Sequence, residues 1–297
     1  MLDIVIVNWN AGQLLYECVN SIFNSSFTFF RIVVIDNASK DQSISLLPVN
    51  EKIVIVQNTK NIGFAAACNQ GLNMCNGEYV LFLNPDTRLF PDTLERSIKY
   101  MMENPEISVM GCKQLDEKGN IMHSCSRFPS FKTALNDIFG LSKLFPKKFP
   151  PSTIMRDWDH QSSRNVDEVM GSFFLTKRNI LKQFNGFDEQ FFVYYEELDL
   201  CKRISTKGGE IFYNSEIEIF HTGCGTTNQI KATRLYYSLN SKLKYYKKHF
   251  KFKHYVILKI MIYTIEPIMR IFQNLLSLNF KSIIETLNGY YYLIKNK

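Results

Sequence analysis

YVLFLNPD, Tyr79 to Asp86, decides the fold. Five apolar residues run without alternation and stop at Asn84-Pro85-Asp86. A short continuous apolar run closed by turn residues predicts a buried strand. Leu2 to Trp9, Arg31 to Ile35 and Ile53 to Val56 repeat the pattern upstream, and Ile107 to Met110 repeats it downstream. Helical spacing lies between them at Leu14 to Phe23 and Phe64 to Met74. Pro91 to Met102 opens on a proline, which suits a first helical turn. Strands alternating with helices predict βαβ units, a mostly parallel sheet with flanking helices, and so an α/β fold.

A second stretch, FFVYYEELD, Phe191 to Asp199, sets Glu196, Glu197 and Asp199 at the start of a helix, directly after aromatic and apolar residues. Asp86 stands just beyond a strand. Acids at the mouth of a sheet suggest a metal and a base arranged around a phosphate-bearing substrate.

The chain has 297 residues, 45% of them apolar, which predicts a globular protein with one large core and room for a subdomain. MLDIVIVNWN reads as a first strand rather than a secretory leader. Seven scattered cysteines with no C-x-x-C pair read as reduced thiols in a cytosolic protein, without a zinc site. Charge is unevenly placed. From Lys231 onward 13 Lys and Arg stand against Glu266 and Glu285, a net of +11, so the first 230 residues carry −4 of the total +7. That asymmetry predicts an anionic partner for the C-terminal segment.

The middle of the chain changes period. Cys112 to Phe128 holds a Lys118-Gly119-Asn120 turn signal and reads as a hairpin. Phe131 to Pro151 reads as a mobile loop with a short helix. Val166 to Thr176 is a further strand, Leu198 to Lys207 a helix stopped by Gly208-Gly209, and Ile211 to Tyr213 and Ile217 to His221 two short strands. Residues 231–297 are helical in pattern. Tyr255 to Phe272 is apolar but broken by Lys259, Glu266, Pro267 and Arg270, too often for a spanning helix. A basic, aromatic, amphipathic segment fits a membrane surface, or a plain helical cap on the core. Nothing in it resembles a nucleic-acid-binding motif.

In an open α/β sheet the ligand sits beyond the carboxyl ends of the strands. Here those ends read Asn8-Trp9-Asn10, Asp36-Asn37, Asn58 with Asn61, and Asn84-Pro85-Asp86. Singly, Asn and Asp are ordinary turn formers. As a row they suit a nucleotide. Neither a G-x-G-x-x-G after the first strand nor a phosphate-loop lysine is present.

IVIVNWN, VVIDNASKD, NIGFAAACNQG, YVLFLNPDT, VMGSFFLTKR, FNGFDEQFFVYYEELDLCKR and IFHTGCGTT, in this order, resemble glycosyltransferase family 2, inverting enzymes of the GT-A fold. The likeness is nearest to the rhamnosyltransferase-like branch that builds bacterial surface polysaccharides, and it covers roughly residues 1–228. It implies a GT-A catalytic domain over 1–230, with a nucleotide-sugar half to about 112 and an acceptor half from 113. A basic helical extension follows over 231–297.

By the resemblance, Asn8, Asn10, Asp36, Asn37, Asn61, Gly63, Asn69, Asn84, Pro85 and Asp86 bind the nucleotide-sugar. Asn37 replaces a second aspartate common in the family. Asn84 replaces the first acid of the family's D-x-D motif, leaving Asp86 as the metal carboxylate, with His221 completing the shell for Mn2+ or Mg2+. A structural histidine at a strand end is the plainer alternative for His221. Glu197 stands where the family places its catalytic base, one methylene longer than the usual aspartate. A helix N-terminal acid is its plainer role, and Asp199 fits that role with Arg203 at i+4. Gly171, Ser172, Glu196 and Trp9 line the sugar or acceptor pocket. Phe191, Phe192, Tyr194 and Tyr195 are either sugar-stacking or core.

The expectation is a metal-dependent inverting hexosyltransferase, with dTDP-L-rhamnose the first-choice donor and a glycan or lipid-linked acceptor, at the inner face of the cell membrane. A UDP-hexose donor, or a catalytically silent sugar-binding subunit, are the alternatives.

Overall fold

The computed structural model describes residues 1–223 and 231–296. Cys224 and the end of the IFHTGCGTT motif lie outside them. The chain forms two compact units. The first comprises Met1–Ser126, Asp159–Phe192 and the segment from Glu196 through the last strand. The second comprises Arg127–Trp158, Val193–Tyr195 and the C-terminal helices.

The strands of the first unit are β1 (Leu2–Asn8), β2 (Phe30–Asp36), β3 (Ile53–Gln57), β4 (Tyr79–Leu83), β5 (Thr87–Leu89), β6 (Ile107–Leu115), β7 (Cys125–Ser126), β8 (Arg164–Asn165), β9 (Glu168–Val169), β10 (Phe173–Lys177) and β11 (Glu210–His221). Its helices are α1 (Gln13–Phe23), α2 (Phe64–Leu72), α3 (Thr93–Glu103), α6 (Arg178–Gln183) and α7 (Glu196–Thr206). The main sheet runs β3-β2-β1-β4-β10-β6-β11-β5, with β8 on β11, while β7 and β9 pair separately.

The half β3-β2-β1-β4 is parallel, as βαβ units require. β1 is buried along its whole length. Leu2, Ile4 and Ile6 share a core with Leu15, Cys18, Val19 and Ile22 of α1. Gly71 lets α2 close on the sheet, because a Cβ there would lie 2.4 Å from Val5 Cγ1. The other half is mixed. β10 runs antiparallel to β4 and β6, and β11 is parallel to β6 but antiparallel to β5.

The register gathers the polar strand ends. Asn8 lies opposite Asp36, and Asp36 opposite Gln57. Phe173 faces Leu83, so Ser172 accepts from the Asn84 N–H at 3.2 Å. Gln114 faces Ile219, and His221 faces Thr87.

Several elements differ from the sequence reading. The strand expected over Val166 to Thr176 breaks at Met170-Gly171 into β9 and β10. The two short strands after Gly209 are one strand, β11, with a register shift between Asn214 and Glu218. The helix drawn from Leu198 starts two residues earlier, at Glu196, and the acids lie in its first turn as expected. Asp116 shapes the turn after β6, with Oδ1 accepting from the N–H groups of Lys118 and Asn120.

In the second unit, α4 (Phe131–Ile138) and α5 (Leu141–Leu144) occupy the segment expected to be a mobile loop with a short helix. Ser130 and Thr133 form a capping box that starts α4. Phe131 stacks on His254 at 4.3 Å, which fixes α4 against α9. The long helices are α8 (Lys231–His249), α9 (Phe252–Leu276) and α10 (Phe280–Lys295). Glu266 of α9 is buried. Burial alone would raise its pKa, but Lys242 of α8 and Arg270, one turn on, hold it below the ordinary carboxylate value.

Gly71→Ala is expected to destabilise the chain by about 1–3 kcal/mol, the usual cost of overpacking, read as a lower urea midpoint. An unchanged midpoint would mean that α2 does not need this close approach.

Candidate active site

The carboxyl ends of the first strands form a hydrogen-bonded edge. Asn8 Nδ2 donates to Asp36 Oδ1 and Ser43 Oγ, both at 2.8 Å, and lies 3.0 Å from Ser39 Oγ. Asn10 is left-handed at φ +52°, and its Oδ1 accepts from the Lys40 N–H at 2.7 Å. Asn37 donates to Gly63 O at 3.1 Å and accepts from Asn58 at 3.0 Å. Asn61 Oδ1 accepts from the Gly63 N–H at 2.9 Å. Asn8, Asp36 and Asn37 are buried, whereas Trp9, Asn10 and Asn61 are half-buried. The inner three hold the loops in place, and the outer three are open to solvent.

Gly63, at φ +91°, connects this edge to the acidic stretch. A Cβ there would lie 2.6 Å from Phe192 O, which accepts from the Phe64 N–H. Asn69 departs from the expected donor-binding role. Its amide donates to Phe187 O at 2.8 Å and Glu189 Oε1 at 3.0 Å, and accepts from the Phe187 N–H at 2.9 Å. Both amide hydrogens thus clamp the loop before α7. Phe191 is fully buried and belongs to the core.

Asn84, Pro85 and Asp86 are half-buried at the end of β4. Asn84 O accepts from Thr87 Oγ1 at 2.8 Å, and Asp86 O accepts from the Thr222 N–H at 3.0 Å. His221 Nε2 lies 3.3 Å from Asp86 Oδ1, and His221 Nδ1 lies 2.8 Å from Gln114 Oε1. Gln114 Nε2 donates to Ser172 Oγ at 2.7 Å. The tautomer protonated at Nδ1 satisfies the contact with the Gln114 carbonyl oxygen, and in that tautomer Nε2 turns a lone pair toward Asp86. Two acceptors converging in this way fit a cation of oxygen and imidazole preference. Among the described residues no group of three or more His, Cys, Asp or Glu could hold a metal ion.

Glu197 Oε1 accepts from the Gly171 N–H at 3.2 Å. A Cβ on Gly171 would lie 2.3 Å from that oxygen, so only glycine admits the carboxylate here. Burial raises the Glu197 pKa, partly offset by its own N–H, that of Gly171 and the Glu196 side chain. Tyr194 and Tyr195, which precede α7, both have φ +70°, an uncommon conformation for bulky residues and one that clusters at functional sites. Glu196 is buried. Asp199 pairs with Arg203 at 2.8 Å, and Arg203 also donates to Phe184 O and Gly186 O, which anchors α7.

The two carboxylates belong to one connected path. It runs Asp86, His221, Gln114, Ser172, then through the peptide to Gly171 and on to Glu197. Sequence reasoning missed Gln114 and Glu168. Glu168 on β9 is buried, and its Oε2 has no hydrogen-bond partner. Burial and the Glu197 carboxylate push its pKa up to about 8, against the pull of the Ser126 hydroxyl. An acid inside an apolar strand was the available signal.

The family profile described as Glycosyl transferase family 2 matches residues 3–184. An N-acetylglucosaminyl-diphospho-decaprenol L-rhamnosyltransferase of Mycobacterium tuberculosis is 22% identical over 251 residues, covering 79% of this chain and 80% of that protein. Rhamnosyltransferase WbbL of Escherichia coli K12 is 28% identical over 170 residues, which is 57% of this chain and 61% of that protein. Among solved structures, the mannosyltransferase PcManGT of Pyrobaculum calidifontis, in complex with GDP-Man and Mn2+, superposes with TM-score 0.60 at 14% identity, over 100% of this chain and 87% of that one. It shares the GT-A fold.

Glu168 makes a pH prediction. Its folded pKa of about 8 exceeds the ordinary 4.5, so the folded state holds the proton more tightly. Its contribution is full below about 4.5 and is lost as pH rises through about 8. Glu168→Gln should therefore gain stability relative to the parent as pH rises between those values, read from urea midpoints. Parallel curves would show that Glu168 is not a shifted carboxyl.

Proposed function

Because this chain belongs to glycosyltransferase family 2, we propose that it moves a hexose from a nucleoside-diphosphate donor to a hydroxyl of a glycan or lipid-linked acceptor, inverting the anomeric carbon. The observation that carries this reading is the path from the Asp86 carboxylate to the Glu197 carboxylate through His221, Gln114, Ser172 and Gly171. It supports a cation-holding pair and a base on the same sheet edge.

Glu197 takes the proton of the acceptor hydroxyl as that oxygen attacks the anomeric carbon. The bond from that carbon to the phosphate oxygen breaks, through a transition state of oxocarbenium character, and the nucleoside diphosphate leaves. A divalent ion held by Asp86 and His221 would neutralise the leaving diphosphate. Asn10, Asn61 and Trp9 are the open side chains on the nucleotide edge. Asn8, Asp36 and Asn37 keep that edge in shape. Ser172 lines the sugar pocket. The names of the mycobacterial and E. coli relatives support L-rhamnose, as the dTDP-activated sugar, and a lipid diphosphate acceptor.

The C-terminal helices support contact with an anionic lipid surface. Ile257, Ile260, Ile268, Phe272 and Leu276 are exposed along α9. Phe280, Ile284, Leu287, Tyr291 and Ile294 repeat the stripe on α10. Lysines 253, 259, 281 and 295 accompany them, in the segment of net charge +11. No helix among the described residues is long and apolar enough to cross a membrane. An apolar face with basic flanks lies in the interface plane.

Two outcomes follow. Glu197→Gln should lower sugar transfer by about 10²–10⁴-fold, the range for a general base. The parent's kcat/KM should rise with pH through an apparent pKa above 4.5, as burial of Glu197 requires. Assays with dTDP-L-rhamnose and UDP-hexoses beside an extracted lipid-linked acceptor would read both, and near-parental transfer by the variant would remove Glu197 as base. Separately, Phe272→Ser with Ile284→Ser should weaken sedimentation with vesicles containing anionic lipid. Equal binding to neutral vesicles, or none to either, would overturn the lipid reading.

A further inference from the structure

We propose that Gln114 is a positioning residue that decides which nitrogen of His221 faces the cation, and that it couples this choice to the Ser172 hydroxyl in the sugar pocket. The proposal rests on the reading that Asp86 and His221 hold a divalent ion. Gln114 is 2% exposed near the end of β6. Its side chain touches the neighbouring strand β11 at His221 and the residue that opens β10, Ser172. An amide has one accepting end and one donating end, so its orientation is information. As placed, Oε1 lies 2.8 Å from His221 Nδ1, a contact that the Nδ1-protonated tautomer fills, and Nε2 points at Ser172 Oγ at 2.7 Å. The Ser172 hydroxyl also lies 3.0 Å from Oε1.

The consequence reaches Asp86. With Nδ1 protonated, Nε2 keeps its lone pair 3.3 Å from Asp86 Oδ1. That pair of acceptors attracts a cation. With the amide reversed, its nitrogen would donate to Nδ1. Nε2 would then carry the proton, donate it to Asp86, and close the site. His221 is thus a ligand in one amide orientation and a lid on the carboxylate in the other. Ser172 is the group that can tell the two apart, because a hydroxyl turns to accept from Nε2 or donate to Oε1. A sugar hydroxyl that claims Ser172 as donor or acceptor would bias the amide. A sugar in the pocket and a cation at Asp86 would then reinforce each other.

The test combines a spectroscopic readout with a binding one. ¹⁵N-histidine NMR of the full chain with Mg2+ and dTDP reads the His221 tautomer. Mn2+ titration followed by EPR, with dTDP present, reads affinity. The parent should show His221 protonated at Nδ1. Gln114→Leu, close in volume, should populate the Nε2-protonated form and weaken Mn2+ about 10–100-fold, the usual cost of losing an outer partner of a ligand. Gln114→Glu keeps an acceptor toward Nδ1 and should restore both the tautomer and the affinity. Ser172→Ala, which leaves the amide in place but frees it to turn, should shift both readouts in the direction of the leucine variant. An unchanged tautomer and affinity in Gln114→Leu, alongside weakened Mn2+ binding in His221→Ala, would overturn the role of Gln114. If His221→Ala leaves Mn2+ binding unchanged, the cation reading fails instead, and this proposal with it.

Discussion

The need to give the polar groups at the sheet's carboxyl edge partners out of water governs this molecule, with Asn8 Oδ1 left as a buried exception. Parallel strands deliver their last side chains to one line, and here that line is Asn8, Asp36, Asn84 and Asp86, joined from the antiparallel half by Ser172, and by Gln114 and His221. Buried polar groups without partners cost about 1–3 kcal/mol each, so such a line folds only as a network. Asn8 is held by Asp36 and Ser43, Asn37 by Gly63 and Asn58, and Gln114 by His221 and Ser172. The antiparallel β10 is what makes the last group possible. It inserts Ser172 beside Asn84 and Gly171 beneath Glu197, and a parallel strand there would have brought its other end to this edge.

The second unit solves a different problem. α9 turns a carboxylate inward and isoleucines outward. Glu266 is buried between Lys242 and Arg270, while Ile260, Ile268 and Phe272 face solvent. A helix in water alone would gain by the reverse arrangement. The pairing of Glu266 offsets the burial of its charge, and it lowers the pKa enough to keep that charge. The exposed stripe is a contiguous apolar surface of the kind that marks interaction sites.

What was legible in the sequence is what depends on neighbours in the chain. YVLFL followed by NPD gave β4 and its polar end, and FFVYYEELD gave α7 with acids in its first turn. The family likeness carried Asp86, His221 and Glu197 into roles. What was illegible depends on partners far along the chain. Gln114 meets Ser172 and His221, which stand 58 and 107 residues away, and an isolated glutamine in a strand carries no sign of either. Asn69 was given to the nucleotide-sugar by the family likeness, yet its partner Phe187 stands 118 residues on. The Phe131 to Pro151 segment read as a loop with a short helix because its helices are short and its apolar residues pack on α9, which no local period reveals. The break at Met170-Gly171 was hidden because the residues on both sides of it are apolar or β-branched.

Charge balance around α7 sets the terms for any base there. Glu197 lies among carboxyls, with Glu196 beside it and Glu168 close enough for its pKa to be raised by Glu197. Such a cluster holds only as much charge as its hydrogen bonds compensate. Glu168, pushed to about 8 with one oxygen unpartnered, keeps its proton at neutral pH. Glu197 has two backbone N–H donors and is the member best supplied to carry the negative charge. A neutral Glu168 thus removes one anion from beside Glu197, the residue whose oxygen Gly171 holds in place. Ionising Glu168 would set a second anion beside it and raise the proton affinity of Glu197 further, strengthening it as a base while making its ionised form harder to reach.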